Sequence, residues 1–303
     1  MPFSMKKILI LGFLGSLLAT DAVMGQSFFA MRRDRSLILT GGTGTSSYLG
    51  DLALQGDYLQ ANLNIHAGLM YYLNHRIAIR SELSWFQLSG DDSKATVESG
   101  RRGRNLSFSS SCFELNAVGV ISLYPQGRSF YQRPAFNVYA FGGIGLMYFN
   151  PTTIDKSGAK VSLQPLQTEL VSYSLITPVI PLGIGVRFKI GPFANLCFEA
   201  GYRKTFTDYI DDVSTIHHDA SKFSNPKSYE LSDRRGELST PQPLKKEGDI
   251  RGNPNNDDAY ILYSAKLEYY LPVNFLKARG GQKTFKTKRK SFYRYNKRGG
   301  LRK

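Results

Sequence analysis

The 303-residue sequence has two cysteines, one tryptophan and a single long apolar run. Two cysteines, Cys112 and Cys197, cannot build a disulfide framework. The strand pattern below puts them on well-separated strands, so both are expected as buried free thiols. The apolar run, Ile8 to Ala19, is about a dozen residues long, short of the roughly 20 that a transmembrane helix needs. No second such run follows, so no transmembrane helix is expected beyond it. Lys6 and Lys7 precede the run and small residues follow it, the layout of a secretory signal. Residues 1–25 are read as that signal, with cleavage after Gly25 and a second fit after Ala22. No cysteine stands near either point, which excludes a lipoprotein.

Acidic residues are absent from Pro272 to Lys303, where twelve of the 39 basic residues lie. With the leader also set aside, the body holds 25 basic and 23 acidic residues, a net of +2. The overall charge of +15 therefore belongs to the tail and not to a nucleic-acid-binding face. An exported chain does not meet nucleic acid, and that partner is set aside. Clustered like charge with glycine predicts a flexible tail. Its Phe285, Phe292, Tyr293 and Tyr295 alternate with Lys and Arg, including Lys288, Arg289 and Lys290. Docking of this tail on an acidic partner or on anionic lipid is one expectation; a solubilising role is the other.

Period-two alternation is what the body has in quantity. Leu59, Ala61, Leu63, Ile65, Ala67, Leu69, Tyr71 and Leu73 share one parity, against Gln60, Asn62, Asn64, His66, Gly68, Met70 and Tyr72. Such spacing puts apolar side chains on one face of a strand. The segment is longer than the roughly 5–6 residues of a soluble strand and long enough for a tilted membrane strand of about 9–11. The alternation returns around Ile77–Trp85, Phe113–Leu123, Phe136–Phe149, Ile176–Phe188, Leu196–Tyr202 and Ala259–Leu271. With Leu37–Thr45 this makes eight strands. The connections alternate between long (Ser46–Tyr58, Gly90–Arg104, Asn150–Ser172, Ile210–Asp257) and shorter (Asn74–His75, Tyr124–Ala135, Gly191–Asn195). Long extracellular loops and short periplasmic turns give a membrane barrel that rhythm when both termini are periplasmic. The fold class predicted is all-β: an eight-stranded antiparallel transmembrane β-barrel over 37–271, after a short periplasmic segment 26–36, with the basic tail 272–303 in the periplasm.

The polar parity carries Arg80, Glu82, Glu114, Arg187, Glu199, Arg203, Lys266 and Glu268. An eight-stranded barrel is filled by its own side chains, and unpaired buried charge is costly. These eight are read as a structural salt-bridge network in the lumen, and a conducting pore is not expected. Gly41–Tyr48 lacks the lysine of a phosphate loop and reads as a tight loop at a strand rim. His217-His218-Asp219 matches no metal spacing and reads as solvated loop. His66 falls on the lumen parity and His75 in a short turn, so no histidine has an evident serine and acid beside it. No catalytic, cofactor or metal residues are assigned.

Glu199-Ala-Gly-Tyr-Arg-Lys-Thr-Phe-Thr-Asp-Tyr-Ile-Asp-Asp-Val-Ser214 resembles the signature of PorG-type outer-membrane proteins of the type IX secretion system. Gly44–Asp51, Pro181–Phe188 and Asn256–Leu271 are similar to that family too, over about Ser36 to Leu271. The resemblance implies a non-enzymatic component that anchors or stabilises a periplasmic lipoprotein ring, with outer-membrane lipids as surroundings. It implies no cofactor and no small-molecule substrate. Asp208, Asp211 and Asp212 stand where a strand leaves the membrane, to cap that strand end or to contact a partner. The other functional expectations are an adhesive or protective barrel and a surface lipid-modifying enzyme.

Overall fold

The computed structural model describes residues 37–53, 62–95, 101–126, 132–238, 240 and 242–271. The leader, the segment 26–36 and the basic tail with Lys288, Arg289 and Lys290 lie outside the described residues. Eight long strands build the wall: β1 (Leu37–Leu49), β2 (Asn62–Tyr72), β3 (Ile77–Asp91), β4 (Ser107–Ser122), β5 (Phe136–Tyr148), β8 (Ile176–Lys189), β9 (Ala194–Thr205) and β10 (Ala259–Tyr270). A small hairpin, β6 (Pro151–Ile154) with β7 (Lys160–Ser162), leans on β4. The wall runs β3-β2-β1-β10-β9-β8-β5-β4, and β3 pairs with β4 to close it. The chain is a closed eight-stranded antiparallel β-barrel. Closure leaves no free edge.

The alternation explains which way each strand faces. Along β4, buried and exposed residues alternate without a break from Phe108 to Ser122. Outward stand Leu83, Leu115, Ile144 and Ile184, with exposures of 56%, 57%, 72% and 65%. So much exposed apolar surface means a nonaqueous neighbour, and a closed barrel satisfies every wall amide within bilayer hydrocarbon. On β3 the apolar outward positions run from Ile77 to Trp85, Ser81 excepted. At ~3.4 Å per residue and a tilt of ~40° this band is about 21 Å tall, close to the ~25 Å of membrane barrels. No helix among the described residues is long and apolar enough to cross a membrane; the crossing is made by strands.

The short turns fall at one end. Asn74 Oδ1 accepts the amides of Arg76 and Ile77, each at 2.8 Å, which fixes the β2–β3 turn. Long connections gather at the other end, where residues 206–258 include a short seven-residue helix, α1 (Pro226–Ser232), N-capped by Asn225. The loop before it, between β5 and β8, carries the β6–β7 hairpin.

Gly41–Tyr48 is corrected from rim loop to barrel wall: β1 continues through it to Leu49. Its glycines meet a packing need. A Cβ on Gly42 would lie 2.8 Å from Lys266 Cγ, and one on Gly68 would lie 2.6 Å from Glu82 Cγ. Those empty positions let two long charged side chains lie across neighbouring strands inside the lumen.

Candidate functional site

The lumen is stacked in layers. Nearest the short turns, Ile38, Met70, Val120, Tyr139 and Phe193 form an apolar cluster. Arg133 closes that end: it donates to the carbonyls of Gly191, Pro192 and Ala194 at 2.7–2.9 Å, and its guanidinium stands 4.6 Å from the Tyr270 ring centre. Among these, Arg187 holds Glu268 by two bonds of 2.7 Å.

The middle layer is ionic. Arg80 bonds Glu199 in two-pronged fashion, its Nη2 3.1 Å from Oε2. Arg80 Nε also lies 3.3 Å from Glu82 Oε2. Lys266 Nζ reaches both Glu82 and Glu199 at 2.8 Å. Arg203 approaches Glu114 at 3.6 Å, and the Tyr260 hydroxyl donates to Glu114 at 2.6 Å. All eight lumen charges expected from the sequence are buried in this arrangement. It brings together two cations and two anions at its centre, so each carboxylate faces opposite charge in a water-poor interior.

Above the ionic layer lies a second apolar cluster that includes Phe86, Phe108, Met147, Phe149 and Tyr260. The loops seal it. Leu52, Ile210, Val213 and Leu231, all from connections, pack into that cluster. Polar bonds then fasten the loops together. Asp211 accepts the amides of Leu52 and Val213 at 3.0 and 2.9 Å. Asp258 accepts the Tyr48 hydroxyl at 2.5 Å and the Ile210 amide at 2.9 Å. Asp212 accepts from Thr168 at 2.5 Å and from Tyr173 at 2.7 Å. Glu169 accepts the Ser214 and Thr215 amides and pairs with Arg251 at 2.6 Å. Asp92 binds Arg101 and Arg104.

Asp208, Asp211 and Asp212 therefore point inward and are buried. Asp211 and Asp212 accept hydrogen bonds from neighbouring loop segments. Burial pushes Asp211 up to about 8, Asp208 to about 7 and, against the opposing pull of Arg251, Asp212 to about 6. Burial also raises Asp258 well above its ordinary value, helped by neighbouring Asp211. Glu169 goes the other way: burial opposes its charge, but Arg251 and the loop amides outweigh it. The sequence showed the aspartates but not Glu169 or Arg251, which become partners only when two distant loops meet.

Residues 35–231 match a family described as "Domain of unknown function (DUF6089)". The chain belongs to the DUF6089 family. The matched span of this DUF6089 chain carries Arg80, Glu82, Glu114, Arg187, Glu199 and Arg203, whereas Lys266 and Glu268 lie beyond it on β10. No curated protein matches the chain. Among solved structures it is similar to Ail, the attachment invasion locus protein of Yersinia pestis, at 10% identity and a TM-score of 0.37, covering 78% of this chain and 99% of that one. It is similar to Neisserial surface protein A at 9% identity and 0.39, covering 78% and 97%. It is also similar to the outer membrane enzyme PagL at 13% identity and 0.31, covering 77% and 99%.

Within the DUF6089 barrel, His66 is buried in the lumen and His217 in the loop cap. Burial and nearby Arg251 push His217 down to about 4, which leaves it neutral at pH 7. No group of three His, Cys, Asp or Glu among the described residues has a metal-holding arrangement. Cys112 and Cys197 are both free and buried.

Proposed function

We propose that the chain is a non-enzymatic outer-membrane anchor in a protein secretion apparatus of the type IX kind. Its barrel fixes the protein in the membrane, both termini face the periplasm, and the short-turn end holds a periplasmic ring lipoprotein. The observation that carries this reading is the filled lumen. Arg133 closes one end, the Arg80–Glu82–Glu199–Lys266 group blocks the middle, and the loop cap closes the other. A barrel whose lumen is filled by its own side chains acts through its surfaces. The resemblance of Glu199–Ser214 to the PorG-type signature supplies the class of partner. The test is secretion in a strain lacking the gene, complemented by the full chain and by a chain ending at Leu271. The reading expects lost secretion without the gene and full rescue by the full chain. Normal secretion in the deletion strain would overturn it.

A second reading has its own support. The long loops form an ordered, mutually bonded surface through Asp211, Asp258 and Glu169, which suits an adhesive or protective role. It expects secretion to be unchanged by deletion, with surface adhesion lost.

A further inference from the structure

The β3–β4 hairpin rises past the apolar band. On its outer face Trp85 pairs with Phe113, and the Trp85 indole donates to Ser111 at 2.8 Å. Such an aromatic pair marks the membrane–water boundary. Beyond it the outward positions turn polar: Gln87, Ser89 and Asp91 on β3, Ser111, Ser109 and Ser107 on β4. The β6–β7 hairpin folds against this stretch, with Ser109 opposite Thr152. Between them lies a cleft of about 350 Å³ lined by Ser89, Asp91, Lys94, Ser109, Thr153 and Lys160 among others. Lys94 and Lys160 are exposed and have no ion-pair partner among the described residues. The one carboxylate in the cleft, on Asp91, already accepts the Ser93 amide at 2.9 Å.

Farther down the same strand, Leu115 and Ala117 border an apolar trough of about 790 Å³, walled by Ile144, Leu146, Pro178 and Ile180. The wall is thin here. Inward-facing Gly145 has no side chain, and the β5–β8 ladder is interrupted between Gly142↔Leu182 and Gly145↔Val179. Pro181, which lacks an amide hydrogen, stands in that gap.

The cleft and the trough are in register with a bilayer. Ser109 and Leu115 are six positions apart on one strand, about 20 Å along it and about 16 Å along the membrane normal at a ~40° tilt. The Trp85–Phe113 boundary falls between them, with Ser109 four positions above it and Leu115 two below. We propose that one phosphate-bearing lipid occupies both, its anionic headgroup between Lys94 and Lys160 and an acyl chain in the trough. Lysine ammonium groups and the Ser109 hydroxyl supply the donors a phosphate takes, and the trough continues the lipid-facing band. This assignment uses the belt position alone, so it stands or falls apart from the anchoring role.

The test is native mass spectrometry of the full chain in detergent, titrated with lipid A, with dephosphorylated lipid A and with inorganic phosphate. Lipid A is expected to bind at least tenfold tighter than its dephosphorylated form. Each lysine near an anionic lipid contributes about fivefold, so neutralising both should weaken lipid A by roughly 30-fold and K94E/K160E by more than that. Ala117→Phe, which fills the trough, should weaken it too. Lys94→Ala with Lys160→Ala replaces the charge reversal if that variant fails to fold. Equal binding of the two lipids, or unchanged affinity in the folded double variant, overturns the proposal. Inorganic phosphate competing as strongly as lipid A would overturn the acyl-chain half.

Discussion

Arg80 and Glu199 stand on β3 and β9, four strands apart whichever way the wall is followed, yet they meet at the centre of the lumen. Opposite walls of the barrel are thus tied by one ion pair. Tyr260 on β10 and Glu114 on β4 make a second tie of the same span.

Removing Glu199 leaves Arg80 and Lys266 sharing the single carboxylate of Glu82, an uncompensated buried positive charge that costs about 3–5 kcal/mol. Glu199→Ala is therefore expected to lower the unfolding midpoint in urea strongly. Arg80→Met with Glu199→Met, which removes both charges and keeps volume, is expected to lose less than the two single changes summed. Equilibrium unfolding in lipid vesicles measures both.

The glycine positions give a sharper contrast. Gly42→Val places a side chain against Lys266, where a Cβ already meets the Ala265 carbonyl at 2.3 Å. Gly41→Ala faces outward, its nearest neighbour the His66 carbonyl at 3.7 Å. The first is expected to abolish barrel assembly and the second to leave it intact, as read by the mobility of unheated protein on denaturing gels.

The loop cap is expected to loosen with alkali. Asp211, Asp208 and Asp212 bind protons more tightly folded than unfolded, because burial raises all three from 3.8 to about 8, 7 and 6. Their contribution is complete below about pH 4, falls as pH rises and levels off above about 8. A carboxyl whose proton affinity rises tenfold on folding contributes at most about 1.4 kcal/mol. Glu169, held low by Arg251, weakens the cap in acid instead. Hydrogen exchange of residues 206–216, corrected for intrinsic rate, should be slower at pH 5 than at pH 8.5. Asp211→Asn, which keeps the neutral form, should flatten that difference.

Both thiols are expected to resist a maleimide in the folded barrel and to react once it unfolds, since Cys112 and Cys197 are buried and unpaired. Labelling followed by mass measurement reads this directly.

Much of the fold was legible because a barrel strand has only two faces. The parity of Leu63, Ile65 and Leu69 against Asn64, His66 and Met70 is the parity observed on β2. The eight lumen charges were legible for the same reason. Their partners were not. Which glutamate Arg80 meets depends on strand stagger and barrel diameter, and those emerge only when β3 closes on β4. Gly41–Tyr48 hides its strand because glycine breaks the alternation: a residue without a side chain has no parity, and its reason for being small lies on Lys266, far along the chain. The cap was the least legible part. Asp212, Thr168, Tyr173 and Arg251 come from two loops with no period to read, joined only by hydrogen bonds.

The central claim is that this barrel is an anchor working through its short-turn end. Photo-crosslinking in intact cells tests it most directly, with the reactive group placed at exposed His75 or Tyr124 on that end and at Ile154 or Lys222 on the loop end. The expected result is a periplasmic lipoprotein of the secretion machine captured from His75 and Tyr124 alone. Capture of partners only from Ile154 or Lys222, with none from the short turns, would contradict it.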